Sequence, residues 1–479
     1  MAGPARRDPH RLPARRPGPR AGPWIAGGAA LLVLQGAVAV LSPRFGPAVP
    51  MALRPIGWFV ALQAAAGGAY LWAVLAGPRR GEPGPRMLAW MLAVGLAMRL
   101  AAGLTAPVLE NDFERYLWDG AVTAAGLNPY AVAPAEARDG GPGWRRLAAV
   151  AGDLPARINH PDLKTVYPPT AQAAFALAHL VRPWSLGAWR AVLAAFDLAA
   201  LGLLALLLRL AGRSPGRLLV YWWNPLLVKE VYNSAHVDVV ALPLVLLALL
   251  LALRGRPAGT GGVLGLAAGV KLWPALLLPA FLRRAAGGRW SAGAAGGLAF
   301  AVAAAVLAVP VVAGGLDPSS GLVAYADRWE MNDGPFMLVL WGWRGLLGSA
   351  GGAAPALARA TVAAVVAVLA ARAALAPPGG PAETASRALV PVAALFLLGP
   401  TQFPWYFTWM LPLLVFRPSP GLLAYTALLP LYYWRFAWEA RGRVPVFDDG
   451  IVWVEHAPVL AILAWEWYRA RARRAGGGA

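Results

Sequence analysis

The decapeptide NDFERYLWDG, residues 111–120, sets Asp112, Glu114, Arg115 and Asp119 directly after an apolar run, in a chain otherwise rich in Ala, Leu, Gly and Val. Side chains three and four positions apart share a helix face, so Asp112, Arg115, Tyr116 and Asp119 would line one side of a short helix. The stretch GLNPYAVAP that follows ends such a helix with Gly126 and Pro129. A carboxylate beside an arginine, at the edge of an apolar environment, is held in its ionised form, and that form removes a proton from a hydroxyl as a general base. The same spacing also suits a helix capped by Asp112 with the other charges on a solvated face. The position next to a hydrocarbon-length run favours chemistry, because charges placed there cost free energy and mark sites or pathways.

Further chemistry-bearing residues recur at intervals. INHPDLKTVYPPTAQ holds Asn159, His160, Asp162, Lys164 and Tyr167 ahead of Pro168 and Pro169, which suit a helix start, and Tyr167 also suits an interfacial anchor. His160 has no second ligand at metal-binding spacing. NPLLVKEVYNSAHVDVVALP carries Lys229, Glu230, Asn233, His236 and Asp238 between two apolar runs, and GVKLWP carries Lys271. Lysines stand only at 164, 229 and 271, every other cation being an arginine. A compact ammonium amid Ala, Leu and Trp points to an anion, phosphate above all, with an interfacial snorkelling lysine as the plain alternative. YADRWEMNDGPF adds Asp327, Arg328, Glu330, Asn332 and Asp333, and PTQFPWYFTWMLP adds Gln402, Trp405, Tyr406 and Trp409. Such aromatics stack on sugars, and they equally form the aromatic belt of a membrane protein.

The elements that must position these residues are membrane helices. The 479 residues are 58% apolar and 14% charged, with mean hydropathy +0.54, the composition of an all-α polytopic membrane protein. Runs at 24–41, 57–76 and 87–106 approach the length of about 20 residues that crosses a bilayer. Six arginines and one aspartate precede the first run, and Arg79, Arg80 and Arg86 lie between the second and third. The positive-inside rule then puts the N-terminus in the cytoplasm and the long polar interval 107–166 outside. Later runs bring the expected count to roughly 11–13 spanning helices with some half-helices. Arg254 and Arg256 before the run 258–282, and Arg283, Arg284 and Arg289 after it, fit a hairpin of two short helices with Lys271 at its deep tip.

The expected division is a basic cytoplasmic segment 1–23, one transmembrane domain 24–468 with 107–166 as its catalytic loop, and a basic tail 469–479. The formal charge of +20 is spread over short loop clusters and forms no single basic face, which argues against nucleic-acid binding. The absence of cysteine excludes disulfides, iron–sulfur clusters and thiol catalysis.

DFERYLWDGAVTAAGLNPY, YPPTAQAAFAL, NPLLVKEVYNSAHVD, GLAAGVKLWP and PTQFPWYFTWMLP, in that order from about 107 to 416, resemble the bacterial polyprenol-phosphate-mannose-dependent mannosyltransferases of the GT-C superfamily, glycosyltransferase family 87 in particular. The resemblance implies a GT-C fold with Asp112 as the catalytic residue of the first long extracytoplasmic loop. It further implies a polyprenyl-phosphate sugar donor, an inverting transfer and an active site on the outer side of a bacterial inner membrane. Related families often show an acidic pair in this loop. Here Asn111 precedes Asp112, and the expectation is an enzyme with neither metal nor cofactor.

An inverting transfer asks for one base on the acceptor side, cations for the leaving phosphate, a polar cradle and an apolar lipid groove. Asp112 is the expected base and Lys271, Arg115 and His236 the phosphate partners. Tyr116, Asp119, Asn159, His160, Tyr167, Asp238 and Gln402 are expected to position the sugar or a glycolipid or glycan acceptor. The competing class is a transporter or flippase of lipid-linked sugars. That class would place ionisable residues and broken helices in paired halves near the midplane. The largest acidic collection here falls in one loop, and no internal repeat is evident.

Overall fold

The computed structural model describes residues 22–46, 48–77, 82–287 and 289–476. Most of the basic N-terminal segment, Arg79, Arg80 and the last three residues of the tail lie outside the described residues. Among the described residues the chain is mostly helical and has no β-strand, with a single isolated bridge between Met331 and Thr401. It is an all-α polytopic membrane protein.

The first three apolar runs form α1 (Gly22–Leu41), α2 (Ile56–Ala76) and α3 (Pro85–Gly103). With Leu186–Leu210, Ser291–Ala313, Gly351–Leu375 and Pro381–Leu398 they make seven helices, among the described residues, long and apolar enough to cross a membrane. An eighth crossing exists if Pro225–Asn233 and Val237–Leu253, bent by 103° at their junction, are one broken span. The number falls below the 11–13 expected because several apolar runs are divided. Residues 404–433, for instance, fold as short helical turns punctuated by Pro404, Pro412, Pro420 and Pro430, where a proline removes a backbone donor and interrupts the ladder. Ser291–Ala313 turns Leu298, Val302, Val306 and Val309 outward, an apolar surface that lipid, and not water, would cover.

The segment from Pro257 to Ala286 is the hairpin foreseen from its flanking arginines. Helix Pro257–Ala268 leads to a break at Lys271, and a 3₁₀ turn over Trp273–Leu277 leads back through Leu278–Ala286. A methyl group built on Gly255 would lie 3.7 Å from the Ala285 carbonyl oxygen, so the two ends of the hairpin are side by side. Gly261 lets the outgoing helix touch Trp290–Ala313: an added Cβ would sit 1.8 Å from the Gly296 carbonyl oxygen, the close approach that small residues permit between membrane helices.

The polar interval 107–166 folds as a lid of short helices, α4 (Asp112–Ala124) and α5 (Pro142–Ala151), with a turn at Leu154–Arg157. Its own small core gathers Trp118, Val122, Trp144, Leu154 and Ile158. α4 also lies along helix Pro169–Val181, where Gly120 abuts the Phe175 backbone. The positive φ of Gly126 closes α4 as its sequence indicates.

A buried ion pair fixes the membrane part beneath. Arg99 on α3 donates through Nε to Asp197 Oδ2 at 2.7 Å, both side chains being fully buried. Asp197 also accepts from Tyr221 at 2.6 Å and Tyr232 at 2.8 Å, and Arg99 lies over the Trp222 ring. Removing one partner of such a pair strands the other charge, so Asp197→Ala is expected to destabilise the fold by about 3–5 kcal/mol, and an Arg99→Leu/Asp197→Leu double variant by less. Thermal unfolding in detergent measures both.

Candidate active site

Asp112 is the first residue of α4, with Asn111 in the capping position. The alternative of Asp112 as a cap is therefore set aside, and its carboxylate stands at the positive end of the helix, where a negative charge is favoured. Asn159 Nδ2 donates to Asn111 Oδ1 at 2.6 Å and reaches Asp112 Oδ1 at 3.4 Å. Tyr167 donates its hydroxyl to Asp112 Oδ2 at 3.4 Å, and His236 Nδ1 lies 3.8 Å from the same oxygen. The Asp112 side chain keeps 24% of its surface open while His236 keeps 1%, so the carboxylate is the reachable member of the group.

Burial pushes the Asp112 carboxyl above the ordinary aspartate range, against the opposing pull of Asn159, Lys271, Tyr167 and Arg115. A base works only when deprotonated. With Asp112 in the role of base expected from the sequence, activity is expected to fall as pH drops through this raised value, at higher pH than an unperturbed aspartate would give. A pH profile of kcat/KM locates that acidic limb, and a limb in the ordinary aspartate range would contradict the assignment.

The broken helix delivers the next group. Leu109, shortly before Asp112, and Ala235, beside His236, both adopt positive φ (64° and 62°), a conformation that costs a non-glycine residue free energy and clusters at functional sites. The turn at Ala235 swings His236 onto the Trp405 ring, with centroids 3.9 Å apart and planes 18° from parallel. On its other edge His236 Nε2 stands 3.4 Å from Glu230 Oε2. Glu230 accepts from the Tyr433 hydroxyl at 2.7 Å and faces Lys229 at 3.6 Å. Lys229 donates to Ser234 at 2.7 Å and to Tyr433.

Lys271, at the hairpin tip, faces Asp238 Oδ1 at 3.4 Å and lies 4.5 Å over the Tyr406 ring. Asp238 accepts from Trp409 Nε1 at 2.7 Å, and Tyr406 stacks on Trp409 at 4.3 Å. Five separate stretches of sequence thus bring Asp112, Asn159, Tyr167, His236, Asp238, Lys271 and the aromatics of 405–409 to one place.

Of the other expected site residues, Arg115, Asp119 and Tyr116 are engaged with the protein's own frame, and His160 and Gln402 stand apart from the converging groups. Arg115 spends its guanidinium on the carbonyls of His160 (2.8 Å) and Leu163 (3.0 Å), pinning the loop that carries Asn159. Asp119 accepts from Thr165 at 2.5 Å and Gln172 at 3.2 Å, beneath α4. Tyr116 is buried, stacked on Phe175. His160 is exposed and meets the edge of Trp329. Gln402 turns away, donating to the Leu397 carbonyl at 2.8 Å.

Glu230 was named among the chemistry-bearing residues but given no role, and Tyr433 was not named at all. Glu230 carried a signal, a carboxylate paired with a rare lysine inside an apolar run, whereas Tyr433 had none. Trp405, Tyr406 and Trp409 are buried and face inward, lining the site where a belt would face lipid.

Residues 165–400, just under half of the chain, match the family model described as Glycosyltransferase family 87. Among curated proteins and among solved structures nothing matches the chain. The matched stretch contains Tyr167, His236, Asp238 and Lys271; Asp112, Asn159 and the lid lie before it and the aromatics of 405–409 after it. With the seven apolar helices, the match supports a multi-pass membrane glycosyltransferase.

Proposed function

We propose that this membrane glycosyltransferase takes a sugar, mannose in the first instance, from a polyprenyl-phosphate carrier and transfers it with inversion to an acceptor hydroxyl. Asp112 is the general base, and neither metal nor cofactor takes part. The observation that carries the reading is the convergence of a reachable carboxylate, Asp112, with an ammonium, Lys271, between aromatic planes.

The chemistry follows from those groups. The acceptor oxygen attacks the anomeric carbon from the side opposite the phosphate as Asp112 removes its proton. The bond from the anomeric carbon to the phosphate oxygen breaks, and its electron pair goes to the phosphate. Lys271 balances the growing negative charge, the kind of fixed electrostatic help that lowers a barrier most. Because phosphate leaves readily, no acid has to protonate it. The tip of a hairpin between apolar helices suits a donor whose head is charged and whose tail is hydrocarbon.

The domain limits belong to the same proposal: 24–468 as one transmembrane unit, with 107–166 as the catalytic loop on the extracytoplasmic side of a bacterial inner membrane. The acceptor is a glycolipid or glycan hydroxyl. The test is a donor panel in nanodiscs with a membrane-lipid extract as acceptor source. Label is expected to move from polyprenyl-phosphate mannose and not from a nucleotide sugar. Intact lipid-linked sugar crossing the bilayer in vesicles, with no cleavage of any donor, would replace this reading with the flippase.

A further inference from the structure

His236 stands between two carboxylates, each facing a different ring nitrogen: Asp112 Oδ2 is 3.8 Å from Nδ1 and Glu230 Oε2 is 3.4 Å from Nε2. Both nitrogens, and Glu230 Oε2, are buried without a hydrogen-bond partner. Burying an imidazole with neither nitrogen satisfied costs free energy, and a purely structural histidine would find a donor or acceptor close by. The Trp405 stack fixes the plane of the ring, with one carboxylate oxygen beside each of its nitrogens. Because the two nitrogens of the ring face two different carboxylates, a proton taken up at one nitrogen is matched by a proton given up at the other.

We infer that Asp112, His236 and Glu230 form a proton relay, in which His236 accepts at Nδ1 the proton that Asp112 takes from the acceptor and passes its Nε2 proton to Glu230. The inference rests on the reading of Asp112 as the base of the transfer. The step balances: the acceptor hydroxyl loses a proton, Asp112 returns to its carboxylate, His236 stays neutral with its tautomer exchanged, and Glu230 becomes a neutral acid. After the product leaves, the same path in reverse returns the proton to Asp112 and to water.

The contacts are long or poorly aligned for hydrogen bonds, as catalytic contacts are before a substrate draws them together. The charges facing His236 are few: Asp112 from α4, Glu230 and Lys229 from the helix before the bend, and Lys271 from the hairpin. Two further carboxylates lie around this group: Glu110, in charge contact with Asp112, Glu230 and Lys229, and Asp238, which faces Lys271. Tyr433 and Lys229 hold Glu230 in place from behind. The relay assigns His236 to proton transfer and not to the donor phosphate.

Three measurements test the relay. His236→Gln and Glu230→Gln are expected to lower kcat by about 10²-fold, with donor KM changed by no more than about twofold. In an Asp112→Asn background, His236→Gln should cost nothing further, because His236 acts through Asp112. Losses that multiply, or a raised donor KM at unchanged kcat, would overturn the relay in favour of a phosphate contact. The wild-type enzyme supplies a check that no misfolded variant can obscure: transfer rates in mixtures of H₂O and D₂O should curve, since two or more protons move, and a linear dependence would overturn the relay. Full activity of Asp112→Asn would instead remove the reading of Asp112 as the base, an outcome distinct from all of these.

Discussion

Asp112→Asn is expected to lower sugar transfer by about 10²–10⁴-fold, the contribution a positioned general base makes. The substitution keeps the shape of the side chain and an oxygen that can accept from Asn159 or Tyr167, so α4 and its packing on Pro169–Val181 should survive. What it removes is the capacity to take a proton. Initial rates with labelled donor, paired with size-exclusion profiles and donor binding, separate this from misfolding. A variant that binds donor and turns it over at the wild-type rate would show that another group is the base.

Lys271→Ala is expected to reduce kcat/KM for the lipid-linked donor by about 10²-fold, comparable to losing one preorganised donor to a developing anion. Its loss also leaves Asp238 with the Trp409 indole as its remaining hydrogen-bond partner. A buried carboxylate stripped of its cation destabilises the fold, which would blur the kinetic reading. Lys271→Ala/Asp238→Asn removes both charges and restores neutrality. That double variant should recover thermal stability but not donor use. If it recovered donor use as well, Lys271 would be a structural partner of Asp238 and no more.

Which parts of this arrangement could be foreseen has physical reasons. Spanning helices α1 to α3 were legible because an uninterrupted apolar run has one low-energy state in a bilayer. The Lys271 hairpin was legible through the arginines at its two ends, which cannot both stay on one side of a single crossing. The lid helix α4 followed from the three- and four-residue spacing of Asp112, Arg115 and Asp119. Two of those residues, however, bind the frame: Arg115 reaches the carbonyls of His160 and Leu163, and Asp119 reaches Thr165 and Gln172.

Spacing places side chains on a face and says nothing of what lies opposite. The 103° bend between Asn233 and Val237 was hidden for the same reason. Asn233 anchors it by donating to the Ala106 carbonyl and accepting from Val108 N, contacts made across more than a hundred residues. Burial of Trp405 and Tyr406 was equally hidden, since an aromatic that lines a site and one that meets lipid look alike in a sequence.

The most direct measurement of the central claim is a single turnover of polyprenyl-phosphate [¹⁴C]mannose by wild type and Asp112→Asn in nanodiscs, following both the released carrier and the anomeric configuration of the product. Wild type is expected to form one labelled product of inverted configuration together with an equal amount of free polyprenyl phosphate, and Asp112→Asn neither. Retained configuration, or equal yields from the two proteins, would contradict a transfer driven by Asp112 as the base.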